Sequence, residues 1–189
     1  MEKIVLSKKY SIYKIKFNTP LMKGYVERAY QVIELKKTHK TDRNHFFYIP
    51  FNCTELELLN NIVIQSCEKI ENKRSREHAI QNWVYIVNNN SEVELYHTHI
   101  DLIDGDSRIK TDWTFCFYIQ VPDSDGKISF KTEDNIEHEF LPEEGDIYIF
   151  PPDLLHTPRT IHNFSKDRIL IAGNISLNPL KKINDKNIF

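Results

Sequence analysis

The sequence predicts a mainly β, α+β fold: a double-stranded β-helix of the jelly-roll, cupin-like type, with N-terminal helices packed on one of its sheets. From Trp83 onward the chain breaks into short runs rich in β-branched and aromatic residues: WVYIVN, VELYHTH, WTFCFYIQV, GKISF, EHEFL, GDIYIF and RILIAGNISL. They are separated by the turn sequences NNNS, DGDS, PDSDG, TEDN and PEEG, a spacing that marks an antiparallel sandwich or barrel. Both helical patterns lie before these runs, and helices grouped apart from strands indicate α+β layering. No repeat, low-complexity tract or Gly/Ser/Pro-rich linker interrupts the 189 residues, a length suited to one domain. Residues 1–189 are therefore read as a single domain, in which 1–80 supply supporting strands and helices and 81–180 the barrel.

The chain opens with two alternating segments, Ile4 to Ser7 and Ser11 to Phe17, whose period fits strands. Thr19-Pro20 offers an N-cap and a first-turn proline, and in LMKGYVERAYQVIELKK the apolar Val26, Tyr30, Ile33 and Leu35 fit a helix. A second helix is predicted from Thr54, where Thr54 and Glu57 match a capping box. Leu58, Ile62 and Cys67, with Leu59, Val63 and Ile70, give it a broad apolar stripe. The cluster Lys73, Arg74 and Arg76 reads as a solvated helix end. In WTFCFYIQV, Thr114, Cys116 and Tyr118 share a face, so Tyr118 is predicted to point into the barrel while Phe115, Phe117 and Ile119 pack behind it.

An apolar fraction of 40% suits a folded core, and a formal charge of −2 gives no bias toward polyanions, so nucleic acid is not an expected partner. Cys53, Cys67 and Cys116 are odd in number and lack a CxxC pair, which fits reduced thiols better than a disulfide framework or a zinc site. Charges interrupt the apolar positions of MEKIVLSKKYSIYKIKF, and no apolar run approaches the ~20 residues of a membrane span. The expectation is a cytoplasmic protein with no membrane partner.

The chemistry concentrates in YHTHIDLIDGDSR, where His97, His99 and Asp101 occupy every second position and can share one side of an extended segment. Two histidines and one carboxylate on one face, with other positions open, suit a redox-active divalent metal. His99-Ile-Asp101 supplies two such ligands, and His156, following a strand stopped by Pro151 and Pro152, is the candidate third. Arg168 opens the next strand, where a guanidinium is suited to a bidentate pair with a small diacid. Arg159 competes for that role but falls on the turn after His156.

The order HxD, strand pair, His, Arg resembles the Fe(II)/2-oxoglutarate-dependent dioxygenases. Residues 93 to 177, about half the chain, are most similar to the catalytic half of prolyl hydroxylases, including the hypoxia-sensing kind, through YHTHIDLIDGDSR, TFCFYIQV, GKISF, PEEGDIYIFPPDLLHTP and RILIAGNISL. The resemblance implies that His99, Asp101 and His156 hold Fe(II), that Arg168 binds the distal carboxylate of 2-oxoglutarate, and that the Tyr118 phenol assists it. It implies an enzyme that couples decarboxylation of 2-oxoglutarate to succinate with hydroxylation of a C–H bond by O₂, with ascorbate as a candidate reductant. Arg108 corresponds to an arginine near the substrate of the hypoxia-sensing enzymes, which makes peptidyl proline the first substrate to consider, ahead of other peptides or small molecules. Trp83, Trp113 and the stretch 102–112 are predicted rims of the site.

This sequence departs from the family pattern at three places. Asp125-Gly126 stands at the hairpin glycine pair, Leu170 stands where a Ser or Thr is frequent two residues after the arginine, and His97 creates a second frame, His97-x-His99, that would make an all-histidine triad with His156. The frame His99/Asp101 is preferred because YHTHID matches the family's Tyr-x-x-His-x-Asp spacing and a carboxylate helps balance the iron charge. The rival reading is a non-catalytic, cupin-like module that binds a metal or small molecule with the same histidines.

Overall fold

The computed structural model describes residues 1–18, 20–37, 46–48, 53–87, 95–99, 101–104, 107–122, 126–158 and 166–177, the side chains of 35–37, 46–48, 87, 101–104 and 107–108 excepted. Thr19, Asp125, Arg159 and the side chains of Asp101 and Arg108 thus lie outside the described residues. Among the described residues, two helices, α1 (Met22–Lys37) and α2 (Thr54–Glu71), accompany twelve strands. The strands are β1 (Glu2–Val5), β2 (Ser11–Lys16), β3 (Phe46–Tyr48), β4 (Ala79–Val87), β5 (Asp101–Asp104), β6 (Ser107–Lys110), β7 (Trp113–Gln120), β8 (Ile128–Lys131), β9 (Glu137–Phe140), β10 (Asp146–Phe150), β11 (Leu155–Pro158) and β12 (Arg168–Ser176).

Strands β1-β2-β10-β7-β12-β4-β3 form the large sheet, β11-β8-β9 a smaller one, and β5-β6 a separate hairpin. Every pairing is antiparallel. This is the jelly-roll architecture, with the helices on one face of the large sheet and the smaller sheet on the other. The central strands β7, β10 and β12 are buried almost throughout, because both faces of the large sheet are covered. Such strands read as continuous apolar runs, and alternation then decides which layer each side chain joins.

Odd positions of β7 and β12, among them Phe115, Phe117, Ile119, Ile169 and Ile171, pack against Tyr25, Ala29 and Val32 of α1 and Leu56, Leu59 and Val63 of α2. Even positions, Cys116, Tyr118, Leu170 and Ala172, join Ile128, Phe130, Tyr148 and Phe150 between the two sheets. Of the predicted stripe on α1, Ile33 is buried in this core and Val26 packs against it, the Leu35 side chain lies outside the described residues, and Tyr25 takes the place expected of Tyr30. Tyr25 packs edge-on against Phe117 at 5.1 Å, whereas Tyr30 is 40% exposed. The capping box predicted for α2 is not formed: Cys53 is the N-cap, without a side-chain cap hydrogen bond, and Thr54 already lies in the helix. Glu55 and Glu57 in the first turn still complement the helix dipole.

Two glycines allow close approaches between strands. Gly145, at φ +90°, leads into β10; its N–H donates to Tyr118 O at 2.8 Å and its carbonyl accepts from Phe17 N at 2.8 Å. At Gly173 in β12 a Cβ would lie 2.5 Å from Phe115 Cε1 and 2.6 Å from Gln81 O, and that backbone oxygen is fixed by strand pairing. Gly173→Ala should therefore cost about 1–3 kcal/mol through overpacking, read as a lower urea midpoint with an unchanged m-value; an unaltered midpoint would contradict the close approach.

Candidate metal centre

The sequence Phe150-Pro151-Pro152-Asp153-Leu154 ends β10 and turns the chain back into β11, with Leu154 N donating to Pro151 O at 3.1 Å. Proline cannot supply a ladder N–H, so the strand stops here. β11 then pairs with β8, setting His156 opposite Phe130. On its other side, β11 meets residues 95–99. This stretch was predicted as part of a strand; among the described residues it makes one isolated bridge, between His97 and His156. His97 N donates to His156 O at 3.0 Å, His156 N to His97 O at 3.1 Å, and His99 N to Pro152 O at 2.8 Å.

These bonds bring three imidazoles together. Ring centroids are 4.4 Å apart for His97 and His156, 4.9 Å for His97 and His99, and 5.0 Å for His99 and His156. One nitrogen from each ring lies within 4.8 Å of the others, a group close enough to share a metal ion. His156 is 4% exposed and its ring meets Phe150 at 4.6 Å. Trp83 stacks on His99 with centroids 5.4 Å apart.

The tautomers follow from the backbone. His97 Nδ1 lies 3.1 Å from Leu95 O and His156 Nδ1 3.0 Å from Leu154 O. A carbonyl only accepts, so each Nδ1 carries the proton and each Nε2 keeps its lone pair for a metal. Burial lowers the His99 pKa to about 3, with His97 adding to the effect. Burial likewise holds His156 well below the usual imidazole range, reinforced by His97 and His99.

The cavity beside the histidines encloses about 370 Å³ of empty space, its open mouth included. Trp83 and Tyr85 of β4, Cys116 and Tyr118 of β7, and Leu170 and Ala172 of β12 form its wall on the large sheet; Ile128 and Pro158 face them. Tyr118 is fully buried, and its phenol pKa is raised by burial, with the Arg168 charge opposing that rise. Arg168 is also fully buried and donates from Nη1 to Lys127 O at 3.3 Å. Its parity with Leu170 and Ala172 along β12 assigns it to the cavity face of that strand.

One sequence expectation needs amendment. Trp113 does not border the cavity: it packs in the helix-side core, donates from Nε1 to Glu71 at 3.0 Å and meets Tyr13 edge-on. The stretch 102–112, predicted as a rim, contains most of the β5–β6 hairpin. The backbone of Asp101 begins β5 opposite Lys110, while its carboxylate lies outside the described residues. Tyr85, Ile128, Pro158 and Ala172 were not singled out from the sequence, and Cys116 only through the face it shares with Tyr118; the parity of Ala172 with Arg168 was the available signal for one of them.

No protein-family model matches the chain, and no curated protein matches it. Solved structures do. A Pseudomonas putida prolyl-4-hydroxylase superposes with a TM-score of 0.64 at 12% identity, over 87% of this chain and 91% of that one. The viral collagen prolyl hydroxylase of Paramecium Bursaria Chlorella virus-1, in its 2-oxoglutarate complex, gives 0.57 at 15% identity over 87% and 94%. HygX of Streptomyces hygroscopicus, with nickel and 2-oxoglutarate bound, gives 0.60 at 11% identity over 91% and 87%. At such identities the likeness establishes a shared fold.

The depressed imidazole pKa values have a consequence for stability. Below about 6.5 the unfolded chain takes up protons at these rings while the folded chain does not, so stability falls as pH drops from there toward the folded values. The thermal midpoint of metal-free protein should fall between about pH 7 and pH 4, and His99→Gln should make that fall shallower. An equal slope in the variant would contradict a neutral, half-buried His99.

Proposed function

We propose that this chain is an Fe(II)- and 2-oxoglutarate-dependent dioxygenase that hydroxylates a C–H bond, with peptidyl proline as its substrate. The observation that carries this reading is the convergence of imidazoles in a jelly-roll cavity whose large-sheet wall includes Tyr118, with Arg168 on the same face of its strand. Solved proteins of the same fold include prolyl hydroxylases and structures holding 2-oxoglutarate, nickel or iron.

The donor set fits the metal. Neutral imidazole nitrogens suit Fe(II), and grouping them on one side leaves positions for a chelating ligand and O₂. His99 and His156 would hold the ion, with a third donor from the same stretch of chain; the His99-Ile-Asp101 spacing offers Asp101. When bound, iron and 2-oxoglutarate supply the oxidation: the keto acid loses CO₂ to become succinate as O₂ is consumed, one oxygen atom entering succinate and the other the substrate C–H bond.

The protein's share is positioning and exclusion of water. Arg168 would pair with the far carboxylate of 2-oxoglutarate, a charge-assisted contact. Burial keeps the Tyr118 phenol protonated, so it would donate its O–H to that carboxylate. Leu170, Ala172 and Ile128 would line the keto acid with apolar surface, and Trp83 would hold the His99 ring in place by stacking. Because burial keeps His99 and His156 neutral, protons compete weakly with the metal near neutral pH.

Incubation with Fe(II), ascorbate, 2-oxoglutarate and a panel of proline-containing peptides should release succinate and yield a peptide heavier by one oxygen atom. His99→Ala should abolish release, Arg168→Lys should raise KM for 2-oxoglutarate about tenfold through loss of the forked contact, and Tyr118→Phe should raise it by a smaller factor. Metal binding without succinate release across the panel would instead favour a binding module.

A further inference from the structure

We infer that Tyr96 is a positioning residue of the metal site. Its side chain crosses β11 on the face away from the histidines, and its hydroxyl, bonded to Ser129 of β8, sets the angle at which segment 95–99 presents His99 to the ion. The inference rests on the metal site proposed above and concerns what aligns it.

Three chain segments lie side by side at this point. His97 bridges His156, and His156 pairs with Phe130. One residue along, Thr157 pairs with Ser129, and the antiparallel register of the bridge brings Tyr96 level with Thr157. Alternation turns this second row to the opposite face from His97, His156 and Phe130. The Tyr96 hydroxyl meets Ser129 Oγ at 2.7 Å, so the phenol spans β11 and is anchored on the strand beyond it. Thr157, between them, is 3% exposed and Ser129 fully buried. Lys131 Nζ lies 5.9 Å from the centroid of the Tyr96 ring.

This bond has leverage that the neighbouring ones lack. The two backbone bonds between His97 and His156, and the bond from His99 N to Pro152 O, all join the segment to β11 or the turn before it. They set how closely the segment approaches, yet a segment held along one edge can still roll about that edge. A roll swings His99, and a metal site tolerates misplacement of only about 0.5 Å or 10–20°. The Tyr96–Ser129 bond is fixed one strand farther away and opposes that motion. Planar peptide units between residues 96 and 99 carry the restraint to the His99 ring.

Burial makes the anchor firm. A buried hydroxyl deprived of its partner costs more than the bond itself contributes, so Ser129 favours the one segment orientation that keeps Tyr96 within reach. Tyr96 touches neither ion nor keto acid in this arrangement; it acts through His99.

Tyr96→Phe keeps the ring and deletes one end of the bond, and Ser129→Ala deletes the other. Co²⁺ is the probe, because its visible absorption reports ligand geometry as well as occupancy. At a temperature where circular dichroism shows each variant fully folded, both should bind Co²⁺ about two- to tenfold more weakly than wild type, with an altered visible band. The double variant should be no weaker than either single one, since both remove the same bond. A bond serving stability alone would lower the thermal midpoint and leave Co²⁺ affinity and spectrum unchanged. That result, or losses of affinity that add in the double variant, would overturn the inference while leaving the dioxygenase reading in place. Wild-type Co²⁺ affinity in both His99→Ala and His156→Ala would overturn the metal site itself and the proposed function with it.

Discussion

Two backbone hydrogen bonds, between His97 and His156, hold together parts of the chain that are far apart in sequence, and the grouping of the three imidazoles beside the cavity depends on them. Each bond contributes only about 1 kcal/mol to stability. Their importance is directional: they place two Cα atoms in strand register and so set how near the imidazoles can come. The prolines before β11 add a third tie, because Pro152 offers its carbonyl to His99 N. Without these contacts β11 would have only β8 as a partner, and the histidines on either side would be separated by the freedom of a loop.

The large sheet supplies the complementary constraint. It is covered on both faces, so each residue of β7 and β12 is assigned to a layer by its parity alone. Odd positions anchor the helices. Even positions form the cavity wall, and the same register that puts Leu170 opposite Tyr118 brings β12 beside β7 where Arg168 and Tyr118 enter the barrel side. The result is a cavity with neutral nitrogen donors and apolar walls, and with an inward-facing strand position taken by a buried cation. That combination suits a small dianion able to bind a metal through one end and a guanidinium through the other.

Much of this was legible in the sequence because it rests on local rules. Turn residues separated the strands, alternation along WTFCFYIQV assigned Tyr118 and Phe117 to opposite faces, and the alternate positions of His97 and His99 marked the stretch that meets His156. The same parity rule sets Trp113 with Phe115 on the helix side, away from the cavity rim where it was expected. Other features depend on packing that no local pattern encodes. In α1 two overlapping stripes fit a helical period, and the edge-on contact of Tyr25 with Phe117 selects one of them. In α2, Cys53 begins the helix one residue before the best capping side chain. β11 is four residues long and contains a proline, so its strand character comes from pairing with β8 and His97.

The account as a whole depends on a metal ion and a keto acid sharing the cavity between the sheets. Crystals grown anaerobically with Mn²⁺ and 2-oxoglutarate, measured near the manganese absorption edge, would locate the ion without reference to activity. The account predicts a single anomalous peak within coordination distance of His99 and His156, with the far carboxylate of the keto acid on Arg168. No peak in the cavity, or the imidazoles of His99 and His156 on opposite sides of the sheet, would contradict it.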